Sequence, residues 1–265
     1  GFGADIGGEK FFNIKCRASG LVPDVAVLVT TIRALKSHSG AFVIKPGKPL
    51  PEELTHENTD HVTAGATNMV AQIKNLQKFG IPVVVALNHY PDDHESEISV
   101  VRQMAQKAGA VDFAVSKVFG EGGKGGLELA EKVMAACELP KDFKLLYPDD
   151  MNIRDKIRTL AREIYGADEV DFEDMAGAQI DQFEKAGFGN LPICMAKTHL
   201  SLSHDPKLKG APSGFTFPIR EVRASAGAGF IYPLAGNMRT MPGLGKSPAA
   251  HQIDIDEDGN VVGLF

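Results

Sequence analysis

Ile81-Pro-Val-Val-Val-Ala-Leu87 is an almost unbroken run of β-branched and aliphatic residues. A strand that faces water on one side alternates apolar and polar residues; a strand buried on both faces does not. Pro82 lacks an N–H and belongs at the start of such a strand, where the missing donor matters least. Val25-Ala-Val-Leu-Val-Thr-Thr-Ile32 reads the same way, and a third, shorter strand is expected at 111–115. Helical patterns lie between them. One covers 59–79, with Ala66, Met69, Val70, Ile73 and Leu76 along one side and Gly80 as the stop. Another covers 95–108, with Ile98, Val101, Met104 and Ala105 at helical spacing. Repeated strand–helix–strand units predict an α/β fold: part of a mostly parallel sheet with right-handed crossovers and flanking helices.

Ligands of such sheets collect at the carboxyl ends of the strands. The segments 33–38, 88–93 and 116–126 are therefore expected to converge. A helix is expected before the first strand, at 9–17, and 33–51 reads as a Gly- and Pro-rich loop carrying Lys36, His38, Lys45 and Lys48. Beyond about residue 147 the texture changes. Helices are expected at 152–166, capped by Asn152, and at 173–186. Strand-like segments follow at 191–196, 215–223 and 230–234, and a terminal hairpin turns at Asp258-Gly259. The chain thus divides into residues 1–146, the end of an α/β domain, and residues 147–265, a smaller α+β domain.

The chain has 265 residues, 43% hydrophobic and 23% charged, with a net charge of −6, enough for a sizeable core and too apolar for disorder. No long basic block supports nucleic-acid binding. No apolar run approaches the roughly 18–20 residues of a membrane span. Three dispersed cysteines suit neither a disulfide framework nor a paired zinc site, and fit a reducing cytoplasm. The opening Gly1-Phe-Gly3 has no Met and no signal-peptide pattern, and reads as the start of a fragment.

Several motifs fall short of familiar chemistry. Gly120-Glu-Gly-Gly-Lys-Gly-Gly126 lacks the Ser or Thr that a phosphate loop needs after its Lys, and serves either as a tight turn or as an anion cradle. Gly1-Phe-Gly-Ala-Asp-Ile-Gly7 has Ile6 where a dinucleotide fingerprint needs Gly. Among His89, His94, His199 and His204 no metal site is assigned: no Cys or carboxylate pairs with His199 or His204 at ligand spacing, and Asp92-Asp93-His94-Glu95 reads as an acidic helix start. Tyr90 and Phe119 fall on strand-tip loops, where each is either peripheral core or one of a stacking pair for a flat ring.

A set of longer motifs stands in one order: Phe2-Gly-Ala-Asp-Ile-Gly-Gly-Glu-Lys-Phe11, Ile32-Arg-Ala-Leu-Lys-Ser-His38, Val83-Val-Val-Ala-Leu-Asn88, Gly122-Gly-Lys-Gly-Gly126, Glu163-Ile-Tyr-Gly-Ala-Asp168, Gly189-Asn-Leu-Pro-Ile-Cys-Met-Ala-Lys-Thr198, Ser225-Ala-Gly-Ala-Gly-Phe230, Thr240-Met-Pro-Gly-Leu244 and Gly263-Leu-Phe265. Together they closely resemble the formate–tetrahydrofolate ligase family, over roughly the C-terminal half of a member. The resemblance implies that formate, MgATP and tetrahydrofolate give 10-formyltetrahydrofolate, ADP and phosphate through formyl phosphate. It implies a pterin sandwiched between Tyr90, followed by Pro91, and Phe119, which stands where the family usually has Trp. Val115 matches an apolar position near that aromatic. Phe2 and Gly7 match the loop lining the nucleotide and formyl phosphate region. Arg33, Lys36 and His38 are secondary candidates for anion contact. The family pattern has Thr on both sides of the first Asp after Pro91; here Asp92, Asp93 and His94 stand instead.

No Gly-x-x-x-x-Gly-Lys-[Ser/Thr] occurs in this chain, so its catalytic phosphate-binding residues are expected in a missing N-terminal half. The resemblance leaves room for a monovalent cation without placing its ligands. Two functions follow: one portion of a ligase that needs its other half, or a folate-binding or structural module without ligase chemistry. An open sheet edge left by the missing half would favour association, so a homo-oligomer is expected.

Overall fold

A computed structural model describes residues 3–44, 49–236, 247–259 and 261–263. The chain enters through two π-helical turns, Gly3–Gly8 and Phe11–Cys16, which run into the short α1 (Arg17–Ser19). The helix expected at 9–17 is therefore wider-wound than an α-helix. β1 (Ala26–Thr30), β2 (Val83–Asn88) and β3 (Asp112–Ser116) form a parallel sheet in the order β1-β2-β3. Ala26 lies opposite Val83, and Val84 opposite Asp112. Pro82 immediately precedes β2, and its carbonyl accepts from the Ala26 N–H at 2.9 Å.

The crossovers are α3 (Thr59–Gln77) and α4 (Glu95–Lys107). Val83, Val85 and Leu87 enter the main core, which includes Val62, Ala66, Met69 and Ile73 of α3 and Ile98 and Val101 of α4. Val84 and Ala86 point the other way and are equally buried; α6 (Leu127–Cys137) packs on β2 and β3. This is why β2 reads as continuous hydrophobicity.

Residues 33–38, expected as the start of a loop, lie in helix α2 (Ile32–His38), started by the Thr31 side chain accepting from the Ala34 N–H at 3.0 Å. Lys36 is consequently buried. Its Nζ pairs with Glu97 Oε1 at 2.6 Å and donates to the carbonyls of Leu54 and His56. Buried charge of this kind is held by pairing and complete hydrogen bonding, which leaves Lys36 no free donor for an external anion.

The second half begins with α7 (Ile153–Glu163), where the Asn152 side chain accepts from the Asp155 N–H at 2.8 Å. Replacing Asn152 with Ala should cost about 1 kcal/mol of stability, read as a lowered denaturation midpoint at unchanged m-value. Lys156 of α7 is buried with three carbonyls, those of Asp149, Gly189 and Leu191, and burial lowers its pKa to about 8. β4 (Glu169–Phe172) follows. It pairs in parallel with β5 (Thr216–Ser225), which runs antiparallel to β6 (Phe230–Ala235). α8 (Asp174–Lys185) packs on β5. Residues 193 and 196 bridge to β6, extending this sheet beyond its three strands. Two-residue strands β7 (Asp254–Ile255) and β8 (Val261–Val262) make the terminal hairpin, with Gly259 at φ 82° in its turn.

α5 (Val118–Glu121) and a 3₁₀ turn, Gly122–Gly126, connect β3 to α6. One contiguous core crosses residue 147, joining Phe12 and Phe79 to Tyr165, Phe217 and Ile231. No helix among the described residues is long and apolar enough to cross a membrane.

Candidate functional site

The carboxyl ends of β2 and β3 carry the two aromatics singled out in the sequence. Asn88 and Ser116 are opposite one another at the strand ends, and the His89 N–H donates to the Ser116 carbonyl at 3.0 Å. Tyr90 follows, half-exposed. A tight turn holds it: the Tyr90 N–H donates to Asp93 Oδ2 at 2.9 Å, and the Asp93 N–H donates back to the Tyr90 carbonyl at 3.0 Å. Burial raises the Asp93 carboxyl above its ordinary range, with the Tyr90 hydrogen bond opposing. Pro91 is exposed in the same turn.

The Arg33 guanidinium lies 4.2 Å from the Tyr90 ring centroid and pairs with both Asp92 oxygens, at 2.5 and 2.8 Å. Arg33 is therefore a clamp on the aromatic loop. On the next strand, Val115 is half-buried against the core, and Phe119 on α5 is 96% exposed. Each ring face of Phe119 is open to a ligand. The Gly-rich segment behind it is a tight turn. Gly122 sits at φ 60°, the Lys117 N–H donates to the Gly125 carbonyl, and a Cβ on Gly125 would lie 2.5 Å from the Lys117 backbone.

The second cluster is centred on the Gly3–Gly8 turn. Asp5 is held from four directions. Its N–H donates to Gln72 Oε1 (2.9 Å), Gln72 Nε2 donates to Oδ1 (3.0 Å), Lys197 Nζ pairs with Oδ2 (2.8 Å), and the Tyr165 hydroxyl donates to its carbonyl (3.2 Å). Lys197 also donates to the carbonyls of Thr198 and Ser201; burial lowers its pKa, opposed by Asp5. Each partner of the ion pair lines a cavity, and His199 lines both. One, about 380 Å³, sits at the carboxyl end of β1 and is lined by Thr30, Thr31, His38 and Gln72. The other, about 800 Å³, is lined by Lys10, Cys194, Phe230 and Tyr232.

Behind them Glu9 is completely buried. Asn13 Nδ2 donates to its Oε1 at 2.8 Å, whereas Oε2 has no partner. Desolvation raises the Glu9 pKa to about 7. Burial likewise pushes the Cys194 thiol and the Tyr147 hydroxyl upward.

The expected loop convergence thus has two parts. Arg33 and Tyr90 meet, and Phe119 stands beyond the neighbouring strand. Gly7 instead borders a trough beside β1, and His38 lines the smaller cavity, its pKa lowered by burial. Phe2 lies outside the described residues. His204 packs against Phe215 and Phe217, a loop histidine in an aromatic pocket. Sequence reasoning passed over Asp5, Glu9 and Lys197. Their signal was charge inside apolar runs, as in Ile193-Cys-Met-Ala-Lys197.

Comparison with known proteins agrees along the whole chain. The family model described as formate–tetrahydrofolate ligase matches residues 1–265. A formate–tetrahydrofolate ligase from Roseiflexus sp. (strain RS-1) is 62% identical over 264 residues, covering 100% of this chain and 47% of the relative. One from Herpetosiphon aurantiacus is 62% identical, covering 100% of this chain and 46% of the relative, and one from Desulforamulus reducens is 56% identical, covering 100% and 47%. The chain therefore spans about half the length of the curated relatives it matches. With a family match from its first residue to its last, the chain belongs to the formate–tetrahydrofolate ligase family.

Proposed function

We propose that this chain is the folate-stacking portion of a ligase that makes 10-formyltetrahydrofolate from formate, tetrahydrofolate and ATP. The observation that carries this reading is the position of Tyr90 and the exposed Phe119, just beyond the carboxyl ends of two adjacent parallel strands. A flat pterin gains by offset stacking on such rings.

In the proposed reaction, a formate oxygen attacks the γ-phosphorus of MgATP and ADP leaves. The secondary amine of the folate then attacks the formyl carbon, phosphate departs, and the amine proton is lost. Activation as a mixed anhydride makes a poor acyl donor reactive, and proximity of the bound amine makes the transfer effectively intramolecular. The part assigned to this chain is to bind and orient the folate. Asp5 and Lys197 hold the Gly3–Gly8 turn beside the proposed nucleotide and formyl phosphate region, which Phe2 and Gly7 would line. Among the described residues no group of three or more His, Cys, Asp or Glu gathers at metal-holding distance, and no metal ligand is assigned here. The sequence carries no phosphate loop, so the chain alone is expected to bind folate without forming formyl phosphate.

Calorimetric titration of tetrahydrofolate tests this. Tyr90→Ala and Phe119→Ala should each weaken binding by about 1–3 kcal/mol, roughly 5- to 150-fold. Phe119→Trp should tighten it by about 0.5–1 kcal/mol through its larger ring. Binding that ignores all three substitutions would refute the stacking role.

A further inference from the structure

Three residues stand in a row across the carboxyl end of the parallel sheet. Arg33 follows β1 in the first turn of α2, Tyr90 follows β2, and Phe119 follows β3. The sheet order β1-β2-β3 therefore puts the Arg33 guanidinium on one side of the Tyr90 ring and Phe119 on the other. The guanidinium lies 4.2 Å from the ring centroid, within cation–π range. A cation thus occupies one face of Tyr90, and the face toward β3 is left for a ligand.

Stability does not account for this placement. The Arg33 and Asp92 side chains are 28% and 33% exposed, and ion pairs this exposed contribute little to folding. Both Asp92 oxygens accept from one nitrogen, Nη2, so the pair fixes where the guanidinium sits. Nε is buried with no hydrogen-bond partner among the described residues, a cost that native structures rarely carry without a use. Asp92 lies two residues from Tyr90, in the turn that Asp93 closes onto the Tyr90 backbone. Asp92 holds the guanidinium, the guanidinium holds the ring, and Asp93 holds the backbone beneath it.

A cation on one face also changes what the other face prefers. The π-density of the ring is drawn toward the charge, and the opposite face then favours an electron-rich partner over an electron-poor one. The tetrahydropterin ring system carries two amine nitrogens that donate electron density. In the fully oxidised pterin both are imine-type nitrogens that withdraw it.

We propose that Arg33 is a positioning and specificity-determining residue of the folate site: it presents Tyr90 by one face and biases that face toward the reduced pterin. Arg33 acts through Tyr90 and is assigned no substrate contact of its own. The inference deepens the stacking reading above and rests on it.

The test is calorimetric titration of tetrahydrofolate and of folate into this chain and its variants, with a melting curve for each protein. Arg33→Gln should weaken tetrahydrofolate binding about three- to tenfold and folate binding less, at a nearly unchanged melting midpoint. The preference for the reduced ligand should therefore fall by about twofold or more. Arg33→Lys keeps the charge without the planar fork and should retain part of the preference. Asp92→Asn frees the guanidinium and should move both affinities in the same direction as Arg33→Gln, by less. In a Tyr90→Ala background Arg33→Gln should change neither affinity. Equal weakening of both ligands would overturn the selectivity role, and the same loss in the Tyr90→Ala background would overturn action through the ring. Binding that ignores Arg33→Gln yet weakens on Tyr90→Ala and Phe119→Ala would overturn the inference and leave the stacking reading intact. No measurable binding, or binding that ignores Tyr90→Ala and Phe119→Ala as well, would refute both.

Discussion

Lys197→Ala is expected to destabilise the chain by about 3–5 kcal/mol, the cost of removing one partner from a buried ion pair. Asp5 is 5% exposed and Lys197 3% exposed, so the carboxylate left behind stays largely desolvated. The remaining Asp5 contacts, to Gln72 and Tyr165, leave Oδ2 without its cation. The penalty lies with the orphaned charge, which gives a second prediction within the same experiment. Asp5→Asn combined with Lys197→Met should recover most of the loss, because both charges then disappear together. Denaturant titration of the single and double variants measures this. Equal loss in the double variant would mean that the two residues contribute through packing. The functional consequence would be a Gly3–Gly8 turn no longer anchored beside the two cavities.

Glu9→Gln should stabilise the protein at pH 8 and leave it nearly unchanged at pH 4. The carboxyl has a folded-state pKa of about 7 against an ordinary 4.5, raised chiefly by desolvation. The folded state therefore retains a proton that the unfolded state releases. Stability contributed by that protonated group is present below about 4.5. It declines as pH rises toward about 7, and stays lost above it. The total is on the order of 3 kcal/mol, about 5–8 °C in Tm for a chain of this size. Glutamine keeps an oxygen for Asn13 Nδ2 and carries no titrating proton. Melting curves of the two proteins should converge at low pH and separate between about pH 5 and 7. Parallel pH profiles would show that Glu9 is not the titrating group.

The parallel sheet was legible because burial on both faces leaves its mark on composition: Val83–Ala86 is apolar at every position. The helices α3, α4, α7 and α8 were legible from spacing and caps. The placement of 33–51 as loop failed at its first turn. Glycines and prolines further along dominated that reading, whereas Thr31 as N-cap and the apolar Ile32 and Leu35 start a helix. β4 was missed because Glu-Val-Asp-Phe is short and half polar, a strand that exists through its pairing with β5. At the site, Tyr90 and Phe119 could be placed from strand ends, yet the Arg33 clamp joins residues 33, 90 and 92 through tertiary contacts alone. The Asp5–Lys197 pair is separated by most of the chain. No local pattern records it.

Formate-dependent ADP formation is the most direct measure of the central claim. It should be followed with this chain alone, with the complementary portion of a relative alone, and with the two co-purified, each with and without tetrahydrofolate. The account predicts 10-formyltetrahydrofolate and ADP from the pair alone, with formyl transfer at subsaturating tetrahydrofolate slowed roughly 5- to 150-fold by Tyr90→Ala. Formyl product from this chain by itself, or a stable pair that turns over with full rate after Tyr90→Ala and Phe119→Ala together, would contradict it.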